Sequence, residues 1–390
     1  MEPAKYVTIT LDFHVDGDYA RSILSTAWLS KLVAHRVLGL VKKNELLADL
    51  SKYRFLKLMR SKCYDILPNR RYADGMLKLI HSTLKSAKAL KVNIRDIELK
   101  HWLMFQSDGE RGYARGNMNI RFIDTQHVRV LTLGYDKRTR YVELEVTTPK
   151  GWRKPIKILV NRALSGQIGY PARVMVKDYG IGKRELHVHG EVQVMVPYNL
   201  YIEVMKRYNK PRGDNIAGID VNVERLDAVV IDEYGNLLSH MTFWLKNATF
   251  MGVRRKRSWS LIGEQIHALL KWLYSQGVSV IGLENPEIIG YLRYYWIRDG
   301  ERRGAKWNWK VSMFRNSIIE RITWKIPLYS MKVIYVDPRN TSKEGEKVGK
   351  KLGLDRHLGS AYTIAKRTLK YLQRPKKPTS RKQLSTLIRA

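Results

Sequence analysis

The sequence predicts an α+β fold with more than one domain. Its apolar residues change period twice within the first half, and a polar break then precedes a new order of strands and helices. At 390 residues the chain is long enough for two or three domains and a sizeable core. Val7, Ile9, Leu11, Phe13 and Val15 alternate with polar residues, as in a half-buried strand. From about Asp18 the apolar positions Ala20, Ile23, Leu24, Ala27 and Trp28 recur at helical spacing. Helix-favouring composition then runs, with Gly and Pro interruptions, to about Phe105.

Alternation returns after Gly112. Met118/Ile120/Phe122, Val128/Val130, Val142/Leu144/Val146, Leu186/Val188 and Val192/Val194/Val196 read as successive strands, with turn signals such as Pro149-Lys150-Gly151 between them. The first strand is thus split from its sheet by a helical insertion. The simplest architecture is a small β-barrel, from residues 1–17 and 112–205, carrying a helical lobe over 18–111. The stretch Lys206 to Asp214 is polar, contains Pro and Gly, and marks a domain boundary. Beyond it Ile216–Asp220, Leu226–Ile231 and Leu237–Leu245 read as three strands, Ser258–Gln276 as a helix and Val278–Glu284 as an apolar strand. A helix near Val311–Lys325 and a strand at Lys332–Asp337 follow. Three antiparallel strands followed by alternating helices and strands is the RNase H order, expected here over residues 214–370. From Lys366 to Ala390 there are nine Lys/Arg and no acid, which reads as a phosphate-binding arm, with residues 371–390 as a basic tail.

Lys+Arg number 71 against 36 Asp+Glu, a formal net charge of +35 spread along the chain. Such an excess opposes compaction unless a polyanion neutralises it, so nucleic acid is the expected partner. No apolar run approaches the ~18 residues that span a membrane. Cys63 is the single cysteine, which excludes a disulfide framework and a Cys-based zinc site. Met1 to Phe13 lack the apolar block of a signal peptide, so a cytoplasmic protein is expected.

Two carboxylates carry the chemical reading. Asp220 ends one apolar strand, and Glu284 ends another before Asn285-Pro286 breaks the chain. A lone Asp at a strand end is usually a turn or cap residue. Two acids at the ends of buried runs need compensation, because an unpaired buried carboxylate is costly. In an RNase H order the compensation is a pair of divalent cations, Mg2+ or Mn2+, that stabilise the attacking and leaving oxygens of a phosphodiester. Asp355 and His357 stand at the mouth of a later helical stretch. In the helical lobe Arg54, Lys57, Arg60, Arg70 and Arg71 lie beside Tyr53, Phe55 and Tyr64. Singly they are solvated charges; as a set they are candidates for lining a nucleic-acid groove. Arg293, Trp296, Arg298, Arg302, Arg303, Trp307 and Trp309 interleave aromatics with cations after Glu284. Such a mixture suits a lid that stacks unpaired bases and neutralises their phosphates.

The ordered segments Gly218-Ile219-Asp220-Val221-Asn222, Ile281-Gly282-Leu283-Glu284-Asn285-Pro286, Val336-Asp337-Pro338-Arg339-Asn340-Thr341-Ser342 and Asp355-Arg356-His357 with Ser360-Ala361-Tyr362-Thr363-Ile364-Ala365-Lys366-Arg367 resemble the RuvC domain of TnpB. TnpB is the transposon-encoded, RNA-guided nuclease related to compact type V CRISPR effectors. The resemblance covers about Asn215 to Leu369. It extends more loosely to the front half, where the family inserts a helical recognition lobe into a β-barrel wedge domain. It implies a guide RNA, recognition of a short DNA motif beside the target, and cutting of target DNA by RuvC metals.

Two departures stand out. The family follows its VDPxxTS segment with a zinc ribbon of two CxxC knuckles. Here Gly345 and Val348 stand where the first pair of cysteines would be, so a degenerate loop over 339–353 without zinc is expected. The family's third acidic run, DRDxxAAxNI, aligns with Asp355 at its first Asp and His357 at the catalytic one. An imidazole there can ligate a metal, it can mark a decayed nuclease, or Asp355 can serve as a shifted ligand. Two functions therefore compete: an RNA-guided DNA endonuclease, and a nuclease-inactive RNA-guided DNA-binding protein acting as a roadblock or regulator. A DDE-type transposase fits less well, because there the glutamate comes last and on a helix.

Overall fold

The computed structural model describes residues 6–89, 92–99, 103–112, 115–134, 136–182, 185–249, 253–286 and 302–373, with the side chains of 89, 249, 255, 256 and 302–313 left out of the description. The fold is α+β and the chain forms two compact units, Met1–Val204 and Met205–Ala390. The division falls just before the polar stretch that begins at Lys206.

In the first unit, β1 (Tyr6–Asp16) buries alternate residues and ends at Gly17, whose φ of +59° turns the chain directly into a helix. Helices α1 (Gly17–Lys43), α2 (Lys52–Arg60) and α3 (Arg70–Ala89) follow. The remaining strands are β2 (Leu103–Ser107), β3 (Ile120–Phe122), β4 (His127–Leu133), β5 (Thr139–Thr147), β6 (Ala172–Gly182) and β7 (Glu185–Pro197). Helix α4 (Arg153–Leu164) lies between β5 and β6, and α5 (Tyr198–Met205) follows β7. The strands form one curled antiparallel sheet in the order β2-β6-β7-β1-β5-β4-β3. The first strand in sequence is central, because it pairs β7 from Tyr6↔Pro197 to Asp16↔His187 and β5 on its other side.

Edge strands β2 and β3 are tied through side chains. Asn117 donates to the carbonyls of Ser107 and Tyr170 and accepts from the Ile120 N–H, while the Tyr170 hydroxyl bonds the β3 backbone at Ile120 and Phe122. Both side chains are fully buried. The helical reading of residues up to Phe105 is corrected here, since Leu103–Ser107 pairs with β6. Five residues, Leu-Met-Phe-Gln-Ser, carry too little period to separate a strand from a helix. What decides is burial of Phe105 edge-on against Tyr72, with ring centroids 5.0 Å apart.

In the second unit, β8 (Asn215–Val221), β9 (Arg225–Ile231) and β10 (Leu237–Trp244) are antiparallel. Helices α6 (Lys246–Thr249) and α7 (Arg255–Ser275) lead to β11 (Val278–Glu284), which runs parallel to β8. Helix α8 (Arg302–Lys325) precedes β12 (Lys332–Val336), parallel to β11. The sheet order β10-β9-β8-β11-β12 is the RNase H order. Two helices complete the unit, α9 (Thr341–Leu352) and α10 (Arg356–Gln373).

Helix α10 packs on the sheet through Leu358, Ala361, Ala365 and Leu369 against Ile216, Val229 and Ile231. Its approach is close enough that a Cβ at Gly218 would collide with the α10 backbone at Ala361 and Ala365, and one at Gly282 with Thr368. The expected loop over 339–353 is in fact helix α9. A Cβ on Gly345 would come within 2.5 Å of the Ser360 nitrogen, and one on Gly359 would collide with the Gly345 carbonyl. Glycine at these positions thus lets α9 and α10 touch backbone to backbone. The basic arm read from Lys366 onward is corrected in its first part. Residues up to Gln373 continue α10, with Thr368 and Leu369 buried, while 374–390 lie outside the described residues.

Gly345→Cys is expected to lower stability by about 1–3 kcal/mol through overpacking. Denaturant melts check it. A variant as stable as wild type would show that α9 and α10 are not in this contact.

Candidate metal centre

The centre is assembled by a hairpin, a neighbouring strand and a helix start. β8 and β9 are joined by a tight turn in which the Asn222 N–H bonds the Arg225 carbonyl at 3.0 Å. The resulting register sets Asp220 directly opposite Asp227, and directly opposed residues present their side chains on one face. β11 lies beside β8 with Leu283 paired to Ile219, so Glu284 reaches the level of Asp220. The two strand ends are neighbours in one sheet.

Helix α10 brings the imidazole. Asp355 caps the helix, its Oδ1 accepting the backbone N–H groups of His357 and Leu358 at 2.8 Å each. Its Oδ2 pairs with Arg225 at 3.0 Å. That cap fixes the first turn, and His357 Nδ1 lies 3.1 Å from Asp220 Oδ2. Asn222 Nδ2 sits 2.9 Å from the same Asp220 oxygen and 3.0 Å from His357 Nδ1. A protonated Nδ1 donates to Asp220; a free Nδ1 accepts from Asn222. Each protonation state has a partner.

Asp220, Asp227 and Glu284 are buried, whereas the His357 side chain is 41% exposed. Burial acts to raise the Asp220 pKa, but the His357 hydrogen bond, Arg315 and Asn222 outweigh it and hold the carboxyl below its usual range. The hydrogen bond to Asp220 raises His357, with burial opposing. Asp227 is pushed up by burial, which the Thr242 hydroxyl at 2.7 Å and Arg225 only partly offset. Its Oδ2 lies 3.1 Å from Arg225 Nε, yet has no hydrogen-bond partner of acceptable geometry.

These residues fit a divalent cation. Asp220, Asp227 and His357 each present one donor atom, all within 4.8 Å of one another. The orphaned, buried Asp227 oxygen is a vacant donor of the kind a cation satisfies. Glu284 belongs to a second locus: its Oε1 accepts the Thr341 hydroxyl at 2.5 Å, and its Oε2 contacts Arg315 Nη2. The same Arg315 nitrogen is 3.3 Å from Asp220 Oδ1, so one atom touches both carboxylates. The pair therefore stands within reach of a two-metal spacing of about 4 Å.

The structure thus brings Asp220, Glu284 and His357 together and assigns Asp355 to the cap and to Arg225. Asp227, Arg225 and Arg315 were not picked out from the sequence. Asp227 comes to the centre through the hairpin register, which pairs it with Asp220 across a turn that the sequence does not mark. Arg315, on α8, had no signal in the sequence.

The candidate nucleic-acid residues of the first unit divide. Arg54, Lys57 and Arg70 are exposed. Arg60 is bidentate to Asp74 at 2.9 and 2.7 Å, and Arg71 pairs with Glu110 at 2.6 Å. Phe55, read beside them as a groove aromatic, is fully buried core. Arg293, Trp296 and Arg298 lie outside the described residues. Arg302, Arg303, Trp307 and Trp309 fall on α8 with their side chains outside the description.

A pH window follows for the metal-free protein. His357 is raised above its ordinary 6.5, so its contribution is full below that pH and is lost as pH rises through the folded value. Asp220 is lowered from 3.8, so its contribution is present above that value and is lost as pH falls through the folded one. In chelator, the melting-temperature gap between wild type and His357→Gln is expected to be widest between these ordinary values and to close at alkaline pH. A gap that does not change with pH would remove the His357–Asp220 ion pair from the account.

Three kinds of similarity bear on the chain. It matches the SSO2105 N-terminal domain over residues 6–206. A protein of Aeropyrum pernix is 40% identical over 364 residues, covering 93% of this chain and 96% of that protein. Protein SSO2105 of Saccharolobus solfataricus is 25% identical over 313 residues, covering 77% and 78%. Among solved structures, a Cas12f1–sgRNA–target DNA complex is similar with a TM-score of 0.53 and 14% identity, over 89% of this chain and 82% of that one. This last likeness is one of fold. With more than half of its length matched and a 40%-identical relative spanned almost end to end, the chain belongs to the SSO2105 family.

Proposed function

We propose that this chain is an RNA-guided DNA endonuclease of TnpB type, with its metal-dependent centre in the second unit. The observation that carries the reading is the convergence of Asp220, Glu284 and His357 from two neighbouring strands and a helix start. The net charge of +35 and the fold likeness to a Cas12f1 complexed with RNA and DNA support it. In this reading residues 1–17 and 112–205 form the wedge domain, 18–111 the recognition lobe apart from β2, and 374–390 a phosphate-binding tail.

Asp220, Asp227, His357 and Glu284 would hold Mg2+ or Mn2+. Bound there, a divalent cation supplies Lewis acidity toward the scissile phosphate and makes an attacking water more acidic. The chain's own residues do the positioning. Asn222 contacts both the Asp220 carboxylate and the imidazole, Thr341 fixes the rotation of Glu284, and the Asp355 cap sets where His357 begins. Exposed Arg54, Lys57 and Arg70, with the cations and aromatics from Arg293 to Trp309, would take phosphates and stack unpaired bases.

The alternative is a guided DNA-binding protein that does not cut. The contact of Arg315 with both Asp220 and Glu284 favours it, because a guanidinium there opposes cation entry. A DDE-type transposase is disfavoured by the place of Glu284 on the strand β11 rather than on a closing helix.

The test is to sequence RNA that copurifies with the protein and to challenge the complex with a matching DNA target in Mg2+ or Mn2+. Wild type is expected to cut, while Asp220→Asn and Glu284→Gln bind RNA equally and cut at least about 100-fold more slowly, the upper end of what even an outer-shell metal residue costs. His357→Ala should abolish cutting, and His357→Asp should preserve or raise it. An inert wild type with an active His357→Asp establishes the non-cutting binder. RNA affinity should also fall roughly 1,000-fold or more between about 50 and 200 mM salt, as for several phosphate contacts. Protein that carries no nucleic acid and binds structured RNA independently of salt would end the guided reading.

A further inference from the structure

The geometry points to a centre that takes one divalent cation, with the Arg315 guanidinium permanently holding the second cation position between Asp220 and Glu284. This inference rests on the metal-dependent reading above. It changes the composition of the centre, from two cations to one, and makes Arg315 a fixed part of it.

The division is visible in the two oxygens of Asp220. Oδ2 faces His357 and Asn222, and His357 belongs with Asp220 and Asp227 to the three-donor group. Oδ1 faces Arg315 Nη2, which also contacts Glu284 Oε2. A carboxylate that offers one oxygen to each of two positive centres is the layout of a two-metal site. Here a side chain is one of those positive centres. The Arg315 side chain is only 13% exposed, against 7% and 6% for its two partners. A guanidinium so enclosed is a fixed part of the site rather than a surface charge resting on it.

Charge balance selects the same stoichiometry. The cluster holds three buried carboxylates, Asp220, Asp227 and Glu284, a fourth at its exposed rim, Asp355, and two guanidiniums, Arg225 and Arg315. Counting each carboxylate as ionised, the two negative charges left over match one divalent cation. Two divalent cations would leave the cluster net positive by two, before any phosphate arrives. Burying uncompensated charge of either sign is costly.

The donor chemistry agrees. Asp227, opposite Asp220 across the hairpin, has a buried oxygen without a hydrogen bond, whereas both Glu284 oxygens already have donors. Arg315 Nε, also buried, has no acceptor among the described residues. An arginine can stabilise charge on a transferring phosphoryl group, a role that overlaps with that of a second metal.

The experiment counts ions instead of cuts. The purified full-length chain, stripped with chelator, is titrated with Mn2+ by calorimetry, and bound Mn2+ is counted by electron paramagnetic resonance. Wild type and Arg315→Lys are expected to take one ion per chain; Arg315→Met should take two, with spin–spin coupling between them. Wild type binding two coupled ions would overturn the inference and leave the metal-dependent nuclease reading intact. Wild type binding none, with Asp220→Asn no different, would end both. If Arg315→Met does not fold without metal, the inference expects Mn2+ to restore folding with two ions bound. The wild-type count alone still decides the matter.

Discussion

The geometry of the second unit depends on how closely helix α10 lies against the sheet. Gly218 on β8 and Gly282 on β11 remove the two Cβ atoms that would hold the helix away, so α10 rests almost on the strand backbones. Strands β8 and β11 are the same two that carry Asp220 and Glu284 at their C-terminal ends, one residue before the end and at the end respectively. The contact that buries Ala361 and Ala365 therefore also sets the height at which the helix begins. Asp355 then spends one oxygen on capping the first turn, and the imidazole of His357 arrives 3.1 Å from Asp220. A bulkier residue at Gly218 would lift the helix and withdraw the imidazole, although neither glycine touches the centre.

Within that frame two guanidiniums each bridge two carboxylates. Arg225 links Asp227 to Asp355, joining the hairpin to the helix cap, and Arg315 links Asp220 to Glu284, joining the two strand ends. Buried acids brought this near each other repel, and each guanidinium removes part of that repulsion. The arginines are thus as much a part of the folding problem as of the chemistry. A chain with Asp227 at the centre needs Arg225, since Asp227 is wholly buried and already resists ionisation.

Much of this organisation was legible in the sequence, and the gaps have physical causes. Asp220 and Glu284 stood out because each terminates an apolar β run, where a carboxylate is costly without a partner. The RNase H strand order followed from turn residues and period. Asp227 was passed over because its role comes from pairing register, fixed by a tight turn whose residues, Val223 and Glu224, carry no turn signature. Arg315 could not be found, because one more arginine in a chain with 71 Lys/Arg is invisible until the fold places it. The same abundance misled in the other direction. Arg60 and Arg71 looked available for phosphate, yet Asp74 and Glu110 already engage them, and Phe55 serves the core.

Helix α9 shows how a chain with one cysteine organises a segment that the resembling family builds around zinc. The Gly345–Gly359 crossing locks α9 against α10 without metal, and Arg367 on α10 reaches Glu344 on α9 at 2.8 Å. Thr341, the first residue of α9, donates its hydroxyl to Glu284 and so passes that position on to the centre. Asn340, just before it, adopts φ of +61°, a left-handed conformation that Asn tolerates better than most residues. The turn between β12 and α9 is thereby tight enough to put a helix start directly on a candidate metal-binding carboxylate. Packing of small residues thus constrains the rotamer of Glu284 through one helix, as it constrains the placement of His357 through the other.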